Sequence, residues 1–343
     1  MDALLTAAAR PTGLTAAEAV QALDAITGGQ LTAEVGAELL VTMRQRGETA
    51  LELSTFVRGL VGKAMVVDLG RPVMDVVGTG GSGRARFNAS TTACFVLAAA
   101  GVPVAKHGNR GSKHANGSFD LLEALEVPIQ PPAGSHRRLC DDTGVCFIFA
   151  RQAHPAIGAA APMRKLAAAQ VTGTIFNLAG PLANPSRPAR LLLGSAHPAQ
   201  ALLLAETLRL LGTQRTIVAC GHPGIDEVSV TGATQLWEVD EAGIRTSVLP
   251  PPAIPADEAL VSGGDCTANA ATFWRLLTGD ERGPLLDFVV ANAGTALAIW
   301  RNLPPDDAGS RAQARELILS GATRSAFLKH RAAARALAGM SAV

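Results

Sequence analysis

The chain has 343 residues, of which 48% are hydrophobic and 17% charged, and its formal net charge is +1. A chain of this length has room for two domains and a sizeable core. The near-neutral charge excludes a general attraction to nucleic acid or to an anionic membrane. Tyrosine is absent and aromatic residues make up only 4%, which argues against a base-stacking platform. Any site for an anion must therefore be local.

Five irregularly spaced cysteines without a CxxC motif indicate free thiols in a reducing compartment. The N-terminus lacks a basic segment followed by an apolar one, so no signal peptide is expected. The two longest uncharged runs, 87–105 and 166–186, are broken by polar residues, glycine and proline and do not suit a membrane span. These features predict a cytoplasmic protein.

The first 65 residues predict only helices. Thr15 with Glu18, and Thr49 with Glu52, form capping boxes, in which hydroxyl and carboxylate satisfy the free amides of a first turn. Apolar residues at helical spacing follow each box, and a further helix is predicted over Thr32–Gln45. The start of the chain is therefore expected to be a small α-helical unit.

From about Val66 onward, short β-branched runs alternate with helical patterns. The predicted strands are Val73–Val77, Val102–Ala105, Val145–Ala150, Arg190–Gly194 and Thr216–Gly221. Such alternation indicates an α/β fold with a mostly parallel sheet flanked by helices. Ligands of such sheets bind outside the carboxyl ends of the strands.

A glycine-rich segment, Gly78–Gly83, follows the first predicted strand and satisfies GxGxxG. A dinucleotide site would need an acidic residue after the next strand, but Lys106-His107 stand there. Glycines let backbone amides approach phosphate oxygens, and a helix follows. The segment thus favours a phosphorylated ligand other than a nicotinamide cofactor, with an ordinary glycine-rich turn as the alternative.

Polar residues cluster at two neighbouring positions. Asn88, Ser90 and Thr91 precede an apolar helix and exceed what one N-cap needs, which favours ligand contact over capping. The run 106–110, KHGNR, combines two cations, an imidazole and an amide after a wholly apolar strand. Binding is a better interpretation of this run than a solvated loop.

The dipeptide Asp226-Glu227 follows the last predicted strand. Adjacent carboxylates repel each other, and a hard cation such as Mg²⁺ relieves the repulsion; an ordinary acidic turn is the alternative. His154 follows another strand, and Arg164 lies further along, where its planar fork could hold a carboxylate. Neither a Ser-His-Asp order nor zinc-type spacing is present.

Taken together, these blocks resemble the signatures of the anthranilate phosphoribosyltransferase family of tryptophan biosynthesis. The resemblance runs in order over nearly the whole chain. It is carried by Asp75–Gly81 (DVVGTGG), Phe87–Thr91 (FNAST), Val102–Arg110 (VPVAKHGNR), Gly117–Ser118, His154–Ala156, Thr174–Asn177, Gly180–Leu182, Asn184-Pro185, Gly224–Glu227 and Asn292–Gly294.

The resemblance implies a fold like that of class III nucleoside phosphorylases. A small all-α domain would comprise 1–66 with part of 160–187, and a large α/β domain would comprise 67–159 and 188–343. It also implies a homodimer formed through the helical domain. From the near-neutral charge, no nucleic-acid or membrane partner is expected. The implied reaction moves ribose 5-phosphate from phosphoribosyl pyrophosphate to the amine of anthranilate, with Mg²⁺.

The resemblance also assigns site residues. The phosphoribosyl pyrophosphate site would comprise Gly78, Thr79, Gly80, Gly81, Ser82, Asn88, Ser90, Thr91, Lys106, His107, Gly108 and Ser118. The acceptor site would comprise Asn109, His154, Arg164, Gly180 and Pro181. The metal ligands would be Ser90, Asp226 and Glu227. No residue is assigned as acid or base, since Lys106, Asn109 and Arg164 are expected to position the substrates.

Four departures from the family pattern are visible. Ser82 stands where the family usually has Asp, Arg86 stands where Thr is usual, and segments 111–116 and 165–173 differ. Two alternatives therefore stay open beside anthranilate transfer. One is a divergent phosphoribosyltransferase with another aromatic or heterocyclic acid as acceptor, and the other is a non-catalytic relative that binds a phosphosugar or nucleic acid.

Overall fold

The computed structural model describes residues 2–80, 82–84, 86–111 and 116–340. Its helical start consists of α1 (Asp2–Ala8), α2 (Ala16–Thr27), α3 (Ala33–Arg46) and α4 (Ala50–Gly62). Both predicted capping boxes are confirmed, at the starts of α2 and α4. The buried Glu52 carboxylate also accepts from Leu14 N at 2.9 Å and from Arg46 Nη2 at 2.7 Å. One carboxylate therefore joins α3, α4 and the loop between α1 and α2.

A seven-stranded sheet follows in the order β3-β2-β1-β4-β5-β6-β7. The strands are β1 (Met74–Gly78), β2 (Val104–Gly108), β3 (Val145–Phe149), β4 (Arg190–Gly194), β5 (Arg215–Gly221), β6 (Thr234–Asp240) and β7 (Gly243–Leu249). The first five are parallel, which confirms the predicted α/β class, and β6 and β7 are antiparallel. The β6–β7 hairpin was not predicted.

Helices connect and flank the strands. They are α5 (Ala89–Ala99), α6 (Ser118–Ala124), α7 (His136–Thr143), α8 (Ala150–Ala153), a 3-10 helix (Pro155–Ala160), α9 (Ala161–Ala167), α10 (Ile175–Leu182), α11 (Pro198–Leu211), α12 (Glu258–Val261), α13 (Cys266–Thr278), α14 (Pro284–Trp300), α15 (Ala308–Leu319) and α16 (Ala322–Met340). Within the described residues, no helix is both long and apolar enough to cross a bilayer.

Two hydrophobic clusters lie on opposite faces of the sheet. One contains an edge-to-face group of Phe95, Phe273 and Phe327 from α5, α13 and α16. The other joins α1–α4 to α9, α10 and α11. Within it, the rings of Phe56 and Phe176 lie 6.0 Å apart, so the N-terminal helices share a core with the later segment 161–182. This packing agrees with a discontinuous helical unit, while its boundaries stay a prediction.

Candidate active site

The carboxyl ends of β1, β2 and β4 meet at one edge of the sheet. The chain passes from β1 to β2 on one side, and β4 lies on the other side of β1. The order of strands reverses here, and such a switch point leaves a crevice outside the strand ends. The three strands end in Gly78, Gly108 and Gly194.

Two of these glycines make room for the segment that carries Asp226. A Cβ on Gly78 would lie 2.2 Å from Asp226 Oδ2, and one on Gly194 would lie 1.6 Å from the Asp226 carbonyl oxygen. The glycine loop is held in turn, because Thr79 N donates to Gly194 O at 2.9 Å and Gly80 N donates to Asp226 Oδ2 at 2.7 Å. Glycine is thus required here for protein packing, besides any approach to phosphate. Gly81 lies outside the described residues, as does 112–115.

Asp226 and Glu227 face a guanidinium. Arg86 Nη2 donates to Asp226 Oδ1 and, at 2.6 Å, to Ser82 Oγ, and Arg86 Nε lies 3.0 Å from Glu227 Oε2. Only 8% of the Asp226 side chain and 15% of that of Glu227 are exposed. Burial and repulsion by Asp226 raise the pKa of Glu227 to about 8, against the lowering effect of Arg86 and Lys106. A guanidinium of the chain itself therefore lies against both carboxyl groups.

Lys106 and His107 lie within β2, although the sequence predicted that the strand ends before them. Both side chains are buried, because the strand continues to Gly108. Successive side chains of a strand point to opposite faces. The Lys106 ammonium donates to Val76 O and to Ser90 Oγ at 3.3 Å, at the start of α5. It is therefore a fixed, buried cation at the strand edge.

The three polar residues around the start of α5 have different roles. Asn88 occupies the N-cap position, but its side chain does not cap the helix. It donates to Asn116 O at 3.1 Å and accepts from Asn269 Nδ2 at 2.9 Å. Ser90 faces Lys106, whereas Thr91 is fully buried and its hydroxyl has no hydrogen-bond partner in the described residues. The free amides of α5 can therefore receive an anion.

His107 lies on the other face of β2, towards α10. Its Nδ1 donates to the Gly180 carbonyl oxygen at 3.1 Å, since a carbonyl oxygen only accepts. Its ring centroid lies 5.1 Å from that of His154. Burial lowers the pKa of His107 to about 3 and also lowers the pKa of His154. The predicted acceptor residues His154 and Gly180 are thus brought together around a neutral imidazole.

The remaining predicted acceptor residues are Pro181, Arg164 and Asn109. Pro181 follows Gly180 inside α10. Arg164, on α9, stands over the Phe176 ring at 5.6 Å, burial lowers its pKa, and it forms no ion pair with a carboxylate in the described part of the chain. Asn109 is exposed, and its carbonyl oxygen accepts from Ser118 Oγ at 3.4 Å. The Arg164 guanidinium is therefore suited to receive an anionic group from a ligand.

Three residues that shape the site were not predicted as such. Asn269, on α13, is 1% exposed, and its amide lies 3.2 Å from Arg86 O and 2.6 Å from Asn116 Oδ1. It thereby ties α13 to two loops at the strand edge. Asn116 and Arg86 complete this network. The sequence marked Arg86 only as a departure from the family pattern, because its partners Asn116, Asn269 and Asp226 lie far along the chain.

The donor set at the strand edge does not form a ready metal site. Among the described residues, no group of three or more His, Cys, Asp and Glu side chains is placed to hold a metal ion. The oxygens of Asp226 and Glu227 suit Mg²⁺ chemically, but the Arg86 guanidinium lies against both of them. As they stand, the two carboxylates do not fit a divalent cation.

Comparison with known proteins agrees with this architecture. Residues 70–324 match the family described as glycosyl transferase family, a/b domain. The chain is 40% identical over 290 residues to anthranilate phosphoribosyltransferase of Thermomicrobium roseum, covering 82% of each chain. The crystal structure of the Thermus thermophilus enzyme of that name superposes with a TM-score of 0.88 at 35% identity, over 97% of this chain and 99% of the other.

A Saccharomyces cerevisiae anthranilate phosphoribosyltransferase solved with phosphoribosyl pyrophosphate and Mg has the same fold. Its TM-score is 0.87 at 23% identity, over 98% of both chains. The family match first identifies the chain as a glycosyl-transferring α/β enzyme. The chain belongs to the anthranilate phosphoribosyltransferase family.

Proposed function

We propose that this chain transfers ribose 5-phosphate from phosphoribosyl pyrophosphate to the amine of anthranilate and releases pyrophosphate, a step of tryptophan biosynthesis. The observation that carries the proposal is the meeting of the Lys106 ammonium, the Ser90 hydroxyl and the start of α5 at the switch point of the sheet. A cation, a hydroxyl and free amides together suit a phosphorylated sugar.

The donor would lie along this edge. The amides of the glycine loop, 78–82, and Asn88, Ser90 and Thr91 at the start of α5 are proposed to contact its phosphates. Lys106 and Gly108 of β2 and Ser118 of α6 complete the proposed set, whereas His107, which the sequence also predicted here, faces α10 on the other side of β2. Since Lys106 is buried, it would act mainly by fixing this edge of the sheet, and the Ser90 hydroxyl would contact the donor.

The acceptor would lie on the α10 side. Arg164, which has no carboxylate partner in the described residues, is proposed to hold the carboxylate of anthranilate through its fork. His154, Gly180 and Pro181 would form the wall behind the ring, with Asn109 at the open end. The buried, neutral imidazoles of His107 and His154 add no competing charge.

The chemistry needs positioning more than proton transfer. Departure of pyrophosphate places positive charge on the sugar and negative charge on the leaving group, which fixed donors stabilise. An aromatic amine is a neutral nucleophile, so no strong base is required. Holding both substrates in register supplies much of the rate.

Mg²⁺ is expected to enter with the donor, because the yeast relative was solved with both. Phosphate oxygens and Ser90 are the proposed ligands, and Mg²⁺ would neutralise charge on the pyrophosphate. Asp226 and Glu227, which the sequence also predicted as ligands, are engaged by Arg86 in the structure.

The test is pyrophosphate release from phosphoribosyl pyrophosphate with Mg²⁺ and anthranilate. Release that requires anthranilate supports the proposal. Release only with another aromatic or heterocyclic acid would instead identify a divergent transferase. Donor binding without turnover on any acceptor would identify a non-catalytic phosphosugar- or nucleic-acid-binding protein.

Arg164→Gln tests the acceptor site. We expect the KM for anthranilate to rise about 10- to 100-fold, because a charged hydrogen-bonded pair is lost, while the KM for the donor is unchanged. Lys165→Gln is the matched control, since Lys165 is exposed on the same helix. Equal effects of the two substitutions would remove Arg164 from the acceptor site.

The assembly and location of the protein are also proposals. We infer a homodimer through the helical unit, which exposes the apolar side chains of Val20, Leu51 and Leu166. Its mass in solution by light scattering tests this, and a monomer would contradict it. The five free thiols support a reducing compartment such as the cytoplasm.

A further inference from the structure

The cluster of Arg86, Asp226, Glu227 and Ser82 does more than close a loop. We propose that the Arg86 guanidinium takes the place of a divalent cation at Asp226 and Glu227, so that this carboxylate pair binds no metal ion. The consequence for catalysis, that metal enters only with the donor, rests on the proposed function. The inference about the pair itself rests on geometry.

The guanidinium contacts both carboxylates from a buried position. Its nitrogens reach Asp226 Oδ1 and lie 3.0 Å from Glu227 Oε2, and only 11% of the Arg86 side chain is exposed. The other Asp226 oxygen accepts from Gly80 N at 2.7 Å. A metal ion would need the same oxygens at about 2.0–2.6 Å with further ligands around it. Arg86 and a bound cation therefore exclude each other.

The main chain of Arg86 is fixed from two sides. Its carbonyl oxygen lies 3.0 Å from Asn116 Nδ2 and 3.2 Å from Asn269 Nδ2, and the residue forms a β-bridge with Ser262. A Cβ on Gly263 would lie 2.2 Å from the Arg86 carbonyl carbon. The backbone of Arg86 is therefore held in place next to Asp226.

The side chain is also aimed by a third contact. Ser82 Oγ lies 2.6 Å from Arg86 Nη2 and so holds the fork against Asp226. Arg84, two residues earlier, offers a contrast, because it pairs with Glu258 while 43% and 45% of the two side chains are exposed. Surface pairs of that kind open readily in water. Arg86, by contrast, is buried and contacts several groups, so we expect it to stay in place.

The chemistry of the guanidinium suits this role. A guanidinium carries its positive charge as part of the side chain. Here it donates a hydrogen bond to Asp226 and lies within ion-pair distance of Glu227. A positive charge supplied by the chain has no dependence on the concentration of free metal.

The test is Mn²⁺ binding to the substrate-free protein, followed by electron paramagnetic resonance of the free ion. The wild-type chain should show no saturable site that depends on Asp226. Arg86→Gln, which removes the charge and keeps a polar side chain, should gain one saturable Mn²⁺ site per chain. Adding Asp226→Asn to that variant should abolish the new site.

Arg84→Gln is the matched control and should gain no site. A wild-type chain that binds one Mn²⁺, lost on Asp226→Asn, would overturn the proposal whether or not any Arg86 variant folds. A folded Arg86→Gln with unchanged Mn²⁺ binding would overturn it as well. If circular dichroism shows that Arg86→Gln is misfolded, Arg86→Met, which keeps the aliphatic stem, takes its place under the same criteria.

No substrate is present in this titration. Failure of the proposed function would appear separately, as absence of pyrophosphate release by the wild-type enzyme. The two failures are therefore distinguishable.

Discussion

The close approach of Asp226 to the end of β1 leads to a quantitative prediction for Gly78→Ala. The backbone of Gly78 is outside the left-handed region, so alanine adopts it without strain. The added Cβ would lie 2.2 Å from Asp226 Oδ2 and 3.0 Å from its Cγ. Ordinary contact begins at 3.4 Å, so the carboxylate must move by more than an ångström.

The displaced carboxylate loses the hydrogen bond from Gly80 N, which contributes about 1.5–3 kcal/mol for a charged acceptor. The Asp226 carboxylate also moves away from Arg86, and weakening this buried ion pair lowers the free energy of unfolding further. We expect Gly78→Ala to lower the free energy of unfolding by about 2–4 kcal/mol. Urea unfolding followed by circular dichroism measures it.

Gly62→Ala provides the matched control. Gly62 ends α4, and a Cβ there meets no heavy atom within 4 Å. Alanine should stabilise that position by about 0.5–1 kcal/mol, since it restricts the unfolded chain. If Gly78→Ala changes stability by less than about 0.5 kcal/mol, Asp226 does not depend on the bare glycine and the reasoning is refuted.

Two further predictions concern residues away from the chemistry. Asn269→Ala should lower stability by about 1–3 kcal/mol and weaken donor binding, because it unties Asn88 and Asn116; calorimetry with phosphoribosyl pyrophosphate measures the second effect, and unchanged affinity would contradict it. His330 is 2% exposed, and burial lowers its pKa to about 4 from 6.5. The free energy of unfolding that depends on the neutral His330 is thus fully present above pH 6.5. It is lost by about 1.4 kcal/mol per pH unit as the pH falls towards 4. His330→Leu should lose less stability than wild type between about pH 7.5 and pH 5, and equal losses would show that burial does not lower the pKa of His330.

The parallel half of the sheet could be predicted because its strands are buried on both faces. Such strands appear as continuous apolar runs, as in Val145–Phe149. The β6–β7 hairpin lacks that signal. Residues Arg245–Val248 of β7 are all exposed, so the edge strand has no apolar run to mark it.

The candidate site was predictable to the extent that strand ends share one edge. This rule brings the glycine loop next to Asp226, which is 146 residues away from Gly80. The rule does not predict at which residue a strand ends. Lys106 and His107 were placed after β2 because charged residues rarely lie inside an apolar strand, yet both are buried there through partners on α5 and α10.

The carboxylate pair shows why the rest could not be deduced from sequence. Adjacent carboxylates in a buried turn need a positive partner. The sequence does not distinguish Mg²⁺ from a guanidinium in this role. The choice depends on Arg86, which lies 140 residues before Asp226 and has no local pattern linking it to the turn. Because Arg86 is anchored by Ser82, Asn116 and Asn269, its charge stays in place without a metal. The Mn²⁺ titration therefore decides a question that spacing and composition leave open.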